Sequence, residues 1–191
     1  MSKPSSGHFH GTTGSVLSQL SISRDAMYNA PENNGIIEKN KKKDIDRREH
    51  PTKYRQLSSK KLKQFRDKVD NRTITKKEYK RLDWQKRLTL RRNQAIKNFW
   101  KDERKRLKKG LPTTRNWSAE QRKAILSGKR PKYNGKTMAS HHTYSVSKYP
   151  HLSNRKELIY PVTFHEHIYG WHGGNSRNSL PGVPIKYIKD F

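Results

Sequence analysis

The sequence predicts an α+β protein in which basic helices come first and a small strand–loop–strand–helix unit comes last. Apolar residues recur at helical spacing, among lysines and arginines, up to a stop signal at Gly110-Leu111-Pro112. An Asn-Gly turn follows near residue 134, and two short strand-like runs come after it. The order of these signals separates helices from strands along the chain, which is typical of the α+β class.

The charge of the chain predicts a polyanionic partner. The formal net charge is +28, and residues 38–136 alone contain 36 Lys and Arg against 11 Asp and Glu. So large an excess would destabilise a compact state by self-repulsion unless an anionic partner offsets it. Nucleic acid fits best, because no run of 18 apolar residues indicates membrane insertion.

The first region, residues 1–50, is predicted to be a disordered or linker segment, because Ser, Gly, Asn and Thr dominate most of it. It contains no apolar stretch of the kind found in secretory signal peptides. We therefore expect a cytoplasmic protein, or one delivered into a target cell by a non-classical route. The chain has no cysteine, so disulfides and cysteine-based zinc sites are excluded.

The second region, residues 51–115, is predicted to be a basic helical region. Leu62, Phe65 and Val69 form one apolar stripe, and Thr75 with Glu78 forms a capping box that starts the next helix. A further capping box, Ser118 with Gln121, starts a short helix over 119–127.

The third region, residues 116–191, contains the strand signals. Asn134-Gly135 predicts a type I′ hairpin, and the strand leaving it ends at His141-His142. A second strand is predicted at 158–160, with Pro161 ending its ladder. Thr163 and Glu166 form a third capping box, which starts a helix of about two turns that carries His167.

Histidines concentrate in this third region: six of the nine lie between positions 141 and 172. A pair on a strand and two more near a helix can hold one metal ion and leave one imidazole free as a base. Two other interpretations stay open, namely a closed structural metal site and ordinary surface histidines.

The arrangement resembles the ββα-metal (HNH) nuclease fold, in particular the DNase colicins and the His-His "GHH" domains at the C-termini of bacterial polymorphic toxins. The resemblance covers about residues 116–191. It is carried by His141-His142 at the end of the first strand, by Val162-Thr163 before the helix, and by His167 and His172-Gly173. Ser140 stands where the family has a small glycine, and Leu158 stands where its asparagine would fall.

The resemblance implies a site in which His141, His167 and His172 hold one divalent metal ion: Zn, Mg, Mn or Ni. His142 would be the general base, with a pKa near the working pH. Because an α-helix aligns residues three or four apart, the five-residue spacing of His167 and His172 leaves two alternatives. Either His172 comes from the turn after Gly170, or His165 replaces His167. Arg177 is the second expected catalytic residue and would clamp a phosphate. Nucleic-acid contacts are expected from four further basic residues: Lys129, Arg130, Lys132 and Lys136.

The predicted function is a metal-dependent endonuclease that cuts DNA without sequence preference and acts as a bacterial toxin. The resemblance also implies a small acidic immunity protein as partner. The alternative is a non-enzymatic basic nucleic-acid-binding protein of the ribosomal or nucleoid type. RNA as the substrate is a third possibility, since the same site would serve.

Overall fold

The computed structural model describes residues 44–52 and 54–191, which lie in one compact unit. The predicted disordered or linker segment, 1–50, falls mostly outside these described residues. Its last part, 44–50, is described and contacts the rest of the unit. Among the described residues, the structure contains helices and two small antiparallel sheets, so the α+β class is confirmed. None of the described helices is both long and apolar enough to cross a membrane.

Three α-helices precede the strands, and each begins at a side-chain cap. The helix α1 spans Ser59–Asp70, and Ser58 accepts a hydrogen bond from the N–H of Lys61. The helix α2 spans Lys76–Lys108, and α3 spans Ala119–Leu126. The predicted capping boxes at Thr75/Glu78 and Ser118/Gln121 both form, so these two helix starts are confirmed. Gly110, with φ of 64°, lies in the left-handed region just after α2.

Four short strands form two antiparallel pairs. The strands β1 (Lys132–Tyr133) and β2 (Lys136–Thr137) flank the Asn-Gly turn, whose φ values of 46° and 75° confirm a turn with two positive-φ positions. The strand β3 (Ala139–His142) pairs with β4 (Ile159–Val162) over its whole length. The connection between them contains two short 3₁₀ helices, Pro150–Leu152 and Lys156–Leu158.

The prediction that Pro161 ends the second strand is wrong. The ladder continues through it to Val162, with Ser140 opposite Pro161. The Pro161 carbonyl accepts a hydrogen bond from Nη1 of Arg115 at 3.0 Å, so it faces away from β3. In an antiparallel strand the N–H of a residue points to the same side as its carbonyl. The ladder therefore needs no donor from residue 161, and proline is tolerated.

The last helix is a π helix over Glu166–Trp171 rather than the predicted α-helix. Its start is the predicted capping box: Thr163 N–H donates to Glu166, and Glu166 N–H donates to the Thr163 hydroxyl at 3.0 Å. The Glu166 carboxylate also forms a buried bidentate ion pair with Arg115, at 2.5 and 2.7 Å. This ion pair fixes the beginning of the helix against the segment before α3.

The core joins α2 to the strand region. Its buried members come from α2, from α3 and the segment before it, from the residue between β2 and β3, and from β4: Ala95, Phe99, Trp100, Trp117, Ile125, Met138 and Ile159. The indole N–H of Trp100 donates to the Ser140 hydroxyl at 2.8 Å, just before the histidine pair. A hydrogen bond at that position requires an oxygen that glycine would not supply. Helix α2 therefore positions β3, and residues 116–191 do not contain the whole of this core.

Candidate metal centre

The structure brings together the three histidines predicted as metal ligands. One ring nitrogen from each of His141, His167 and His172 lies within 4.8 Å of the others. The ring centroids are 4.9 to 5.2 Å apart, in edge-on arrangements. His141 comes from β3, His167 from the π helix, and His172 from the position after it. Three side chains from two secondary-structure elements thus converge at one point.

The protonation of the cluster suits a metal ion. Burial, together with the neighbouring His167, His172 and His142, lowers the pKa of His141 to about 3. Burial and His172 also lower the pKa of His167. Both rings are therefore neutral at pH 7, and a neutral imidazole is the form that binds metal.

A second contact fixes the orientation of His172. Its Nδ1 lies 2.6 Å from the carbonyl oxygen of Asn178. A carbonyl only accepts, so Nδ1 carries the proton and Nε2 keeps its lone pair. This is the usual support of a metal-ligating histidine, whose second nitrogen donates to a nearby oxygen.

The π helix accounts for the five-residue spacing of His167 and His172. In a π helix the backbone N–H bonds to the carbonyl five residues earlier, so residues five apart lie on the same face. The N–H of His172 bonds to the carbonyl of His167 at 3.2 Å in this way. His165 lies outside the cluster: its ring is exposed and its Nδ1 contacts Asp190 at 2.9 Å. Of the two alternatives, the geometry favours His167 and His172.

His142, the predicted general base, is half-buried beside the cluster. Its Nε2 lies 3.2 Å from the carbonyl of Ser153, so Nε2 carries the proton and Nδ1 keeps a lone pair. Burial and the charge of Arg92 lower the pKa of His142 to about 4. That value lies below the near-neutral pKa expected from the sequence. The ring is consequently unprotonated at pH 7.

Arg92 is a residue of this site that the sequence did not identify. It lies on α2, and its charge acts on the His142 ring from the helix predicted to belong to a separate basic region. Burial lowers the pKa of its guanidinium. It is one of 44 basic residues, and only the packing of α2 against the strand region distinguishes it from the others.

The predicted phosphate-binding residues are all exposed. Lys129 and Arg130 follow α3, while Lys132 and Lys136 lie on the β1–β2 hairpin. The ammonium of Lys136 lies 5.3 Å from the ring centroid of the exposed Phe164, which begins the turn into the π helix. Arg177 lies after the π helix, and its N–H donates to the Asn175 side chain. Each of these side chains is exposed to solvent, and no hydrogen bond or ion pair among the described residues joins one of them to the histidine cluster.

Comparison with known proteins gives one match, which covers the part of the site before the π helix. No curated protein matches the chain. Residues 82–163 match the family model Tox-GHH, described as "GHH signature containing HNH/Endo VII superfamily nuclease toxin". The match includes α2 from Leu82, Arg92, the hairpin, both long strands and the His141-His142 pair. This part of the chain is therefore similar to GHH-signature nuclease toxin domains, and its α+β architecture agrees with that similarity.

Proposed function

We propose that the protein is a metal-dependent endonuclease that cuts DNA without sequence preference and acts as a bacterial toxin. The observation that carries the proposal is the convergence of His141, His167 and His172 beside an unprotonated His142. A protein that only binds nucleic acid has no need for such a cluster.

The three histidines fit one divalent metal ion. They offer three imidazole nitrogens, and three protein ligands leave a coordination position open, as in catalytic rather than closed structural sites. When bound, the ion would polarise the scissile phosphate and stabilise the departing oxygen. Zn²⁺, Ni²⁺, Mn²⁺ and Mg²⁺ are all candidates, although imidazole ligands favour the first two.

His142 would activate the attacking water. Its Nε2 is held by the Ser153 carbonyl, so Nδ1 is the nitrogen that takes the proton. The pKa of about 4 makes the ring a weaker base than the sequence predicts, but it keeps the ring ready to accept a proton at every pH above that value. His142 then contributes by orientation as much as by basicity.

Basic residues around the cluster would hold the phosphodiester backbone. The charge of Arg92 acts directly on His142, so Arg92 is placed to contact the phosphate at the cluster. Arg177 and Lys136 would contact flanking phosphates, with Lys129, Arg130 and Lys132 extending the contact along the strand. Such contacts carry no sequence information, which agrees with cutting that is not sequence-specific.

A toxin of this kind needs an inhibitor in the cell that makes it. We propose a small acidic immunity protein, since an acidic surface would be attracted rapidly to a chain of charge +28 and would cover its phosphate-binding residues. Expression of the wild-type chain alone should stop growth, and co-expression of the neighbouring gene should restore it. Harmless expression of soluble wild-type protein would contradict the toxin proposal.

The experiment is a plasmid-nicking assay with purified protein. Supercoiled DNA is incubated with each of Mg²⁺, Mn²⁺, Ni²⁺ and Zn²⁺, with and without chelator, and a structured RNA is tested in parallel. We expect nicked and linear DNA with at least one metal, none with chelator, and none for His172→Ala. DNA retained in a gel-shift but left intact under all conditions would favour the plain nucleic-acid-binding protein. Cleavage of RNA alone would reassign the substrate.

A further inference from the structure

A second group of metal-type ligands lies outside the histidine cluster described above. It joins the segment before α1 to the connection between β3 and β4. Within this segment, His50 N–H donates to the carbonyl of Lys148 at 3.0 Å, and Glu49 accepts from Lys148 and Tyr149 at 3.1 and 3.3 Å. Two parts of the chain about a hundred residues apart are thereby held side by side.

Three side chains meet at this junction: Asp46, His50 and His151. One carboxylate oxygen and one nitrogen from each ring lie within 4.8 Å of one another. Nε2 of His50 is 3.0 Å from Oδ2 of Asp46, and the two imidazole rings meet edge-on at 4.6 Å. None of these residues belongs to the first cluster.

The ring of His151 has a lone pair with nothing to bind. Its Nε2 lies 2.8 Å from the backbone carbonyl of Asp46. Because that oxygen only accepts, Nε2 carries a proton, and Nδ1 of the neutral tautomer is then the nitrogen with a lone pair. Nδ1 is buried, and it has no hydrogen-bond partner in the described part of the chain. A buried polar atom without a partner is costly, so a further group is expected at this position.

Asp46 is suited to be the anionic ligand. Its carboxylate accepts hydrogen bonds from Arg48, and Oδ2 lies 3.0 Å from Nε2 of His50. Arg48 contacts both carboxylate oxygens at 2.9 Å, but its side chain is 82% exposed. An exposed ion pair of this kind is weak, and Arg48 can turn into solvent when a cation replaces it.

We propose that Asp46, His50 and His151 bind a second divalent metal ion of the zinc type. Two imidazole nitrogens and one carboxylate oxygen are a common zinc donor set, and water completes the tetrahedron. The first cluster consists of histidines only. The second includes a carboxylate, and its ligands come from two separate segments of the chain. The ion would tie residues 44–52 to the connection that also supplies the Ser153 carbonyl contacting His142.

The test is Zn²⁺ binding to the full chain, measured by equilibrium dialysis and elemental analysis. Wild type should bind two equivalents, His50→Ala one, His172→Ala one, and the double variant none. His165→Ala is the matched control, since His165 belongs to neither cluster, and it should bind two. His50 is half-exposed, so its loss leaves the fold intact.

Thermal unfolding provides a second readout. A ligand that binds only the folded state raises the Tm. Zn²⁺ should therefore raise the Tm of His172→Ala, which keeps the second site, and leave the Tm of the double variant unchanged. The second site would be overturned if wild type bound one equivalent of Zn²⁺, His50→Ala still bound one, and His172→Ala bound none. If wild type bound one equivalent of Zn²⁺ that His50→Ala lost and His172→Ala kept, the result would support the second site and refute the first.

Discussion

His165 and His167 are only two positions apart, and they differ in whether the ring reaches the metal-binding cluster. His167 points into the cluster, whereas His165 is exposed and contacts Asp190. His167→Ala should therefore reduce metal affinity at the first site by at least about 10-fold, since even changes to residues supporting a ligand cost about 10–100-fold. His165→Ala should leave it unchanged. Calorimetry with Ni²⁺ in a His50→Ala background measures the first site alone, and the reverse pattern would move the ligand to His165.

At this scale the sequence predicted which histidines lie together but not the protonation of His142. The pattern His141-His142, His167 and His172 is visible in the chain, because metal ligands must be particular residue types. The pKa of His142 depends on burial and on Arg92, which is 50 positions away. Such an environment exists only once α2 has packed against the strands.

Among the elements, the π helix depends most on one buried ion pair, Arg115 with Glu166. Both side chains are at most 3% exposed. Glu166→Gln leaves the guanidinium uncompensated, so we expect a loss of on the order of 3 kcal/mol in the free energy of unfolding. The matched control is Asp102→Asn, which breaks the half-exposed pair with Lys156 and should cost less than about 1 kcal/mol. Denaturant unfolding measures both, and equal losses would contradict the assigned role of Glu166.

The same ion pair predicts a pH dependence. Burial alone would raise the pKa of Glu166, but hydrogen bonds from Arg115, Asp190 and Thr163 outweigh it and lower that pKa. The pKa of a glutamate in the unfolded chain is about 4.3, and a carboxyl whose pKa is lower in the folded state stabilises the fold above that pH. This stabilisation is lost as the pH falls through the pKa of the folded state. The stability difference between wild type and Glu166→Gln should therefore be largest near neutral pH and shrink below about pH 4.3. A difference that grows in acid would contradict this sign.

The element boundaries that sequence could predict are those set by local chemistry. The three capping boxes and the Asn134-Gly135 turn each involve residues close together in the chain, and all of them form. The continuation of β4 through Pro161 depends on which side of the strand Arg115 approaches. The π helix likewise depends on packing, because the short-range pattern from Thr163 onward is equally compatible with an α-helix.

For the whole molecule, the distribution of positive charge predicts how binding depends on salt. Each lost phosphate contact should reduce the slope of log K against log salt by about 0.9 for duplex DNA. Four basic residues lie on or near the hairpin: Lys129, Arg130, Lys132 and Lys136. Replacing all four by alanine should therefore reduce the slope by up to about 3 to 4. The matched control removes four exposed lysines from α1 and the start of α2: Lys60, Lys63, Lys76 and Lys80. Fluorescence anisotropy on a short duplex measures both, and an equal or larger effect of the control would place the DNA elsewhere.

The whole-molecule architecture also explains why the second ligand group was not predicted from sequence. Asp46 and His50 lie in a segment predicted as disordered or linker, about a hundred residues from His151. Nothing in their local pattern indicates a contact, and only the fold brings them together. The boundaries predicted at residues 50 and 115 stay predictions, although α2 supplies part of the core that holds β3 in place.

The most direct test of the account is His142→Ala, with metal binding and DNA cleavage measured on the same protein. His142 is placed as the base, and its neighbour His141 as a ligand. The variant should keep the wild-type stoichiometry and affinity for Ni²⁺ while cutting plasmid about 10² to 10⁴ times more slowly, the usual contribution of a positioned base. Cleavage at the wild-type rate with the metal bound would contradict the proposed mechanism, and loss of metal binding would show that His142 is a ligand instead.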